Sequence, residues 1–351
     1  MKIVLFCENR YAIDILMPLY EEANKQKRHS VLWYICTKKI TKYTLPEDAV
    51  WTDSMQAVYD FSPDAIYVPG NIVPYYLPGV KTQVFHGYAA EKKDQFRIRN
   101  YFDMYLTQGP FFTGTFDKLA AKYKDFEVRE TGWTKQDWIA KHIHDYDEYK
   151  ESLLKKYGKK RIMLYAPTFS PRLTSLPCMM EALGRLLDDN DDLLLVMKFH
   201  PLTAAEWQEQ YRAWASQRQD CIYVEATENV TTYQMISDVM VSDTSSTVYE
   251  FLLLDRPVIT IRSIARDIYW MNINDENKLT EAYRSTVKEG KWDTARKWII
   301  DNYDPHIDGE CCKRMIEAAE DFIRRNGVPR QRKLNLWRKY TSIKKFGRIK
   351  R

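Results

Sequence analysis

The chain opens on an apolar run, Lys2-Ile3-Val4-Leu5-Phe6-Cys7, and then alternates short apolar runs with segments of helical periodicity. Strands are read near Lys2 to Cys7, Val31 to Cys36, Ala65 to Val68, Gln83 to Phe85, Met104 to Leu106 and Glu127 to Glu130, with helical patterns between several of them. That order is the signature of βαβ units wound into a mainly parallel sheet. The stretch Tyr67-Val68-Pro69-Gly70-Asn71-Ile72-Val73-Pro74 is a poor central strand after Val68, because proline donates no ladder hydrogen bond; a loop at the carboxyl edge of the sheet is expected there. From Lys135 to Lys160 the pattern stays helical but becomes rich in Lys, Asp and Glu, as suits a linking helix.

A second alternating series follows. It predicts strands at Arg161 to Tyr165, Leu193 to Phe199, Cys221 to Val224, Val239 to Val241 and Val258 to Ile261, with helices around Met179 to Leu187, Ala204 to Ser216, Thr231 to Ser237 and Ser246 to Leu254. The expected fold is therefore α/β: two Rossmann-like doubly wound domains facing each other across a deep interdomain cleft, the architecture called GT-B. The expected divisions are residues 1–134 for the N-terminal domain, 135–160 for the linking helix, 161–329 for the C-terminal domain and 330–351 for a basic tail. A length of 351 residues agrees, since a single core seldom organises so long a chain.

Composition narrows the class. With 45% hydrophobic and 14% aromatic residues the chain has the makings of filled cores, which excludes disorder over any large part. Six scattered cysteines (Cys7, Cys36, Cys178, Cys221, Cys311, Cys312) form no pattern with metal-ligand spacing and read as reduced, mostly buried thiols. No apolar stretch approaches the roughly 20 residues that span a bilayer, and the run after Met1 lacks the length and cleavage site of a signal peptide, so a cytoplasmic protein is expected. The net charge of +5 hides an asymmetry: residues 330 to 351 carry ten Lys/Arg and no Asp or Glu, leaving the rest of the chain at −5.

Candidate chemistry lies at strand ends. Neither GxGxxG nor GxxxxGK[ST] occurs, so a phosphate grip has to come from elsewhere. At Ser242-Asp243-Thr244-Ser245-Ser246 a buried strand gives way to a turn of small polar residues and then a helix, a convergence of hydroxyls and backbone N–H groups that suits an anion. The same residue types also serve as simple helix caps. Met197-Lys198-Phe199-His200-Pro201 ends another apolar strand, and Pro201 stops it so that Lys198 or His200 points into the crevice, a cationic pair suited to a diphosphate. The bland alternative for His200 is a hydrogen-bonded structural histidine. In Tyr165-Ala166-Pro167-Thr168-Phe169-Ser170-Pro171-Arg172, Thr168 and Ser170 offer hydroxyls and Arg172 a phosphate fork, although a plain rigid loop would look much the same. In the N-terminal half, Val84-Phe85-His86-Gly87-Tyr88 puts His86 at a sheet rim, where it could act as general base on an acceptor hydroxyl. His29, His142, His144 and His306 stand in charged or surface-like contexts.

His86-Gly87, the Tyr165-Ala166-Pro167-Thr168 block, His200-Pro201 and Ser242-Asp243-Thr244-Ser245-Ser246, in that order, resemble the CDP-glycerol glycerophosphotransferase family, the primases and polymerases of teichoic acid and related enzymes of capsule assembly. The resemblance covers about residues 80 to 262. It implies a GT-B transferase, without metal or other cofactor, in which a hydroxyl attacks the β-phosphorus of a CDP-alditol and CMP leaves. His86 would be the base, on the acceptor-side domain. His200 would bind the donor pyrophosphate, with Asp243, Ser245 and Ser246 on donor phosphate or glycerol groups and Thr168 lining the same site. Thr244 stands where the family usually has an aromatic Tyr, Phe169-Ser170 where it often has Trp-Arg, and Gly132-Trp133-Thr134-Lys135-Gln136-Asp137 keeps only a loose version of its Gly-x-Pro-Arg-x-Asp. Other donors therefore stay open, a CDP-ribitol or a nucleotide sugar among them. So do other classes: a GT-B glycosyltransferase, a nucleotide-sugar 2-epimerase, or a binding protein that uses the cleft as a polyanion receptor.

In the tail, Leu334, Trp337, Tyr340, Ile343 and Phe346 recur every three positions among basic residues. Such a helix could lie on an anionic membrane, at the inner face of the cell membrane, and bring the enzyme to a lipid-linked or polymer acceptor. A solvated, frayed terminus is the plainer alternative. No nucleic-acid motif accompanies the charge.

Overall fold

The computed structural model describes residues 1–25, 27–88, 96–265 and 268–350. Runs that are apolar on both faces need cover on both sides, and the chain meets this need twice. The first sheet contains β1 (Lys2–Cys7), β2 (Ser30–Ile35), β3 (Trp51–Thr52), β4 (Ala65–Val68), β5 (Val80–Val84), β6 (Met104–Thr107) and β7 (Glu127–Glu130), in the order β3-β2-β1-β4-β5-β6-β7. The second contains β8 (Arg161–Tyr165), β9 (Leu193–Lys198), β10 (Cys221–Val224), β11 (Val239–Ser242), β12 (Val258–Ile261) and β13 (Met271–Ile273), in the order β10-β9-β8-β11-β12-β13. All these pairings are parallel. In each sheet the first strand lies beside the second on one side and the fourth on the other, the doubly wound pattern that opens a crevice at the carboxyl ends of the two central strands.

Alternation along β1 shows how the first core is divided. Ile3, Leu5 and Cys7 face a cluster that includes Leu16 and Leu19 of the helix Tyr11–Lys25 and Met315, Ile316 and Ala319 of the helix Cys311–Asn326. Val4 and Phe6 face the opposite cluster, with Ile66, Val68, Tyr105 and Phe116. In the second sheet Met163, Leu195, Met197, Val241 and Ile259 pack on Met179, Leu183 and Leu186 of the helix Leu176–Asp188.

Several elements differ from the sequence reading. Strand β5 begins at Val80 rather than Gln83, because Lys81 is fully buried with its ammonium donating to the carbonyls of Leu77 (2.7 Å) and Gly79 (3.3 Å). The linking helix expected over 135–160 is two helices, Thr134–His142 and Asp147–Tyr157, broken by a turn in which His142 Nδ1 meets Asp145 Oδ2 at 2.5 Å. The compact units are Met1–Lys141 with Asn302–Arg351, and His142–Asp301. Residues 302–329, grouped by sequence with the second domain, thus cluster with the first, because the apolar face of Cys311–Asn326 completes its core.

The tail is also part of the first unit. Its helix, Leu336–Phe346, is preceded by Arg332, which pairs with Asp103 at 2.9 Å. Leu334, Phe346 and Ile349 pack on the Val4 and Phe6 face, with Phe346 edge-on to Phe6 at 5.6 Å. The oxygens of Arg338 and Gly347 accept from Tyr101 Oη (3.2 Å) and Tyr76 Oη (3.0 Å). The apolar stripe is therefore split: Leu336, Trp337 and Tyr340 stay 84%, 74% and 57% exposed. Among the described residues no helix is long and apolar enough to cross a membrane.

Candidate functional site

In the second unit three neighbouring strands, β9, β8 and β11, end side by side, and each carries one of the segments singled out from the sequence. Asp243, immediately after β11, is buried and acts as a clamp. Its Oδ1 accepts the backbone N–H of Thr168 (2.8 Å), and its Oδ2 accepts the backbone N–H and the hydroxyl of Ser175 (2.8 and 2.9 Å). Ser175 is the N-cap of the helix Leu176–Asp188, so one carboxylate holds both ends of the loop after β8. Burial pushes its pKa up to about 6, although these donors favour the charged form. Asp243 was expected to hold the donor; its oxygens are committed to the loop that carries Thr168.

Phe169, next in that loop, stacks on the His200 ring with centroids 4.4 Å apart, which ties the end of β9 to the same cluster. His200 Nδ1 accepts the backbone N–H of Leu202 (3.0 Å). In the neutral ring the proton is therefore on Nε2, the arrangement of a hydrogen-bond donor. Partial burial, and then the nearby Lys198 ammonium, hold its pKa below the ordinary value, so the ring is neutral near pH 7. Lys198 does not reach out beside it. Its side chain is buried, donating to the carbonyls of Phe199 (2.8 Å) and Ala226 (3.1 Å). The expected cationic pair is thus replaced by a neutral imidazole donor and an internal ammonium. Arg172 lies exposed in a turn braced by Thr174 N donating to Ser170 O at 2.9 Å.

The hydroxyls of the turn after β11 divide between capping and exposure. Ser245 Oγ lies 2.8 Å from Thr247 Oγ1 and accepts weakly from Thr247 N (3.4 Å). Thr244 Oγ1 accepts the backbone N–H of Ile264 (3.2 Å). Ser246 precedes a helix of only six residues, Thr247–Leu252, makes no capping bond through its side chain and is exposed. The structure thus joins Thr168 to Asp243 directly and His200 to the same loop through Phe169, with Ser245 and Ser246 following Asp243 in the chain.

In the first unit His86 follows β5 and is exposed at the carboxyl edge. Its Nδ1 is 3.1 Å from the carbonyl oxygen of Pro69, in the loop after β4. A carbonyl only accepts, so Nδ1 carries the proton and the lone pair of the neutral ring is on Nε2. The tautomer is the opposite of that in His200, and it is the one a base needs. Tyr11, at the start of the helix after β1, lies with its ring centroid 5.1 Å from that of His86. Gly87 adopts φ of +153°, a conformation side chains resist, so the glycine after His86 is required by the backbone.

Several site-forming residues escaped the sequence reading as such: Pro69, Tyr11, Ser175, and Phe169 as a stacking partner. Pro69 carried a usable signal as the proline that ends β4. His306, read as surface-like, is part-buried with Nε2 3.1 Å from Glu130 Oε1. Among the described residues no three His, Cys, Asp or Glu side chains gather as a metal site.

A profile of the CDP-glycerol:poly(glycerophosphate) glycerophosphotransferase family matches residues 78–268, just over half of the chain. The chain belongs to that family. The segments carrying His86, Thr168, His200 and Asp243 lie within the match, whereas Tyr11, Pro69, His306 and the tail lie outside it. No curated protein sequence matches this family member. Among solved structures it is similar to the wall teichoic acid polymerase TagF, with a TM-score of 0.65, 15% identity, and 93% of this chain and 89% of that one covered. It is also similar to a putative UDP-N-acetylglucosamine 2-epimerase from Listeria monocytogenes (TM-score 0.70, 15% identity, 95% and 99% covered). The UDP-GlcNAc 2-epimerase from Neisseria meningitidis gives a TM-score of 0.67 at 12% identity, with 92% and 100% covered. At these identities the likeness is one of fold, and it identifies the two doubly wound sheets of this glycerophosphotransferase-family chain as GT-B.

Proposed function

We propose that the chain transfers glycerol phosphate, or another alditol phosphate, from a CDP-activated donor to a hydroxyl of a surface-polymer or lipid-linked acceptor. The acceptor oxygen attacks the β-phosphorus, the bond from that phosphorus to the CMP oxygen breaks, and the hydroxyl proton passes to His86 Nε2. CMP leaves, and a phosphodiester remains on the acceptor.

The observation that carries this reading is the pair of opposite tautomers, within a family match that spans both histidines. His86 presents a lone pair for the proton; His200 presents an N–H for a donor phosphate oxygen. Phosphoryl-type transfer asks mainly for a positioned nucleophile and fixed donors aimed at developing charge. Thr168, Ser245, Ser246 and Arg172 would add hydroxyls and a guanidinium on the donor side, without a metal, while Lys198, Thr244 and Asp243 would hold the loops that carry them.

The acceptor side would lie close to a membrane. Leu336, Trp337 and Tyr340 project from a docked helix that also carries Arg338, Lys339, Lys344 and Lys345, a combination suited to anionic lipid at the inner face of the cell membrane. Capsule or other cell-envelope polymers are the products this placement favours.

The fold likeness to 2-epimerases supports a second reading, in which the donor is a nucleotide sugar. A thermal-shift screen of CDP-alditols against UDP-sugars separates the two, since the true donor stabilises at the lowest concentration. The primary reading requires CMP from CDP-glycerol in the presence of a glycerol-phosphate-primed acceptor, strongly reduced by His86→Ala. Full activity in that variant would refute it.

A further inference from the structure

The backbone on either side of His86 is held by buried polar contacts that the family motif does not include. Before it, β5 and Phe85 are buried. After it, the carbonyl of Gly87 accepts from Gln108 Nε2 at 2.9 Å, and Gln108 is itself buried. Tyr88 is fully buried, with its ring edge-on to Trp133 at a centroid distance of 5.1 Å. Its hydroxyl donates to Asp304 Oδ2 at 2.7 Å and accepts from Gln136 Nε2 at 3.1 Å. Asp304 also accepts the backbone N–H of Trp133 on Oδ2 (3.0 Å) and that of His306 on Oδ1 (3.3 Å).

Asp304 has a particular place in the chain. The helix Asp293–Tyr303 begins among residues of the second unit and ends with Asn302 and Tyr303, the first residues of the segment that clusters with the first. Asp304 follows at once. Its neighbour Tyr303 stacks on Phe111 at 4.8 Å, and a Cβ on Gly109 would lie 2.6 Å from the Tyr303 carbonyl oxygen, so the returning segment is fitted closely against the start of the helix Pro110–Tyr123. A packed core would need only an apolar ring at position 88. A hydroxyl bonded to a buried carboxyl group that has no cation among its hydrogen-bond partners in the described residues is a costly way to fill that space, and it fixes direction as well as volume.

We infer that Tyr88 and Asp304 are positioning residues for His86: their hydrogen bond fixes the His86-Gly87 turn so that the imidazole keeps Nδ1 on the Pro69 carbonyl and Nε2 in the orientation of a base. The inference rests on the reading of His86 as the base. It makes the segment at which the chain returns to the first unit part of the catalytic apparatus, although it lies beyond the family match.

The test uses the full-length protein with Tyr88→Phe, His86→Ala and the double variant, with Asp304→Asn as a second way to weaken the bond should Tyr88→Phe fail to fold. Tyr88→Phe keeps the ring and removes only the hydroxyl. Loss of orientation at the base predicts a fall in kcat of about tenfold or more with the donor KM within about twofold, and no further fall when His86 is already Ala. Nitrogen NMR of His86 at pH 8 is the independent readout: the wild-type ring should be mainly the Nδ1–H tautomer, and the variant should shift toward Nε2–H. Equal losses in both backgrounds together with an unchanged tautomer would make the bond merely structural and overturn the inference. If the wild type turns over no CDP-alditol, the parent reading fails by itself, and the tautomer alone decides whether Tyr88 orients His86.

Discussion

Asp243 accepts the backbone N–H of Thr168 at 2.8 Å, joining the turn after β11 to the loop after β8 where the strand order of the second sheet reverses. The other carboxylate oxygen is taken by Ser175. An amide in place of the carboxylate has one acceptor oxygen, so in Asp243→Asn an NH₂ must face either the Thr168 N–H or the Ser175 donors. The expected cost is about 1–3 kcal/mol of unfolding free energy, with a rise in donor KM as the Thr168 loop loosens. Denaturant unfolding and donor titration check both.

The two histidines should respond differently to one substitution. Glutamine places an N–H near the position of Nε2, so it can replace His200 as a donor but cannot replace His86 as a base. His86→Gln is expected to lose about 100-fold or more in kcat, whereas His200→Gln should keep clearly more activity than His200→Ala. Equal losses for both glutamine variants would remove the tautomer argument. Steady-state CMP release is the measurement.

The proposed membrane contact rests on side chains that do not hold the fold together. Replacing Leu336, Trp337 and Tyr340 by Ala should weaken sedimentation with phosphatidylserine-containing vesicles by at least about tenfold, the loss of roughly one partly buried aromatic. Because these residues are exposed, unfolding free energy should change by less than about 0.5 kcal/mol for each. Undiminished vesicle binding would show that the surface lies elsewhere.

Stability should fall as pH rises through two windows. Burial raises the folded-state pKa of Asp243 to about 6 and that of Asp304 to about 8, both above the range of an unfolded carboxyl. The native state then holds more protons than the unfolded chain. Each group's favourable contribution is complete below about pH 4 and is lost as pH climbs through its own folded pKa, at up to about 1.4 kcal/mol per pH unit. Tyr88, the backbone of Trp133 and His306, Arg314 and Cys311 face Asp304. Between pH 6 and 8 Asp304 is the one of these two acids that still titrates, so Asp304→Asn should flatten the decline there. A decline of unchanged slope in that variant would assign it to other groups.

What the sequence disclosed follows from where its information is local. Strands such as β1, β8 and β9 are apolar on both faces and could be read directly, whereas β3 and β13, of two and three residues, carry too little pattern. The positions of Thr168, His200 and Asp243 at adjacent strand ends were legible because a proline or a polar turn stops each strand. The direction of Lys198 was not, since that depends on the carbonyl of Ala226, beyond the neighbouring strand. Nor was the His86 tautomer, which is set by Pro69 from another loop. The tail showed its charges but not its docking, because Arg332, Phe346 and Ile349 find their partners more than two hundred residues away.

The account turns on transfer of an alditol phosphate by His86. The most direct measurement is CMP release from CDP-glycerol, with a glycerol-phosphate-primed acceptor, by wild type and His86→Ala side by side. The account predicts acceptor-dependent CMP release that falls by about 100-fold or more in the variant. Release at the same rate in both proteins, or no release from any CDP-alditol while a UDP-sugar is consumed, would contradict it.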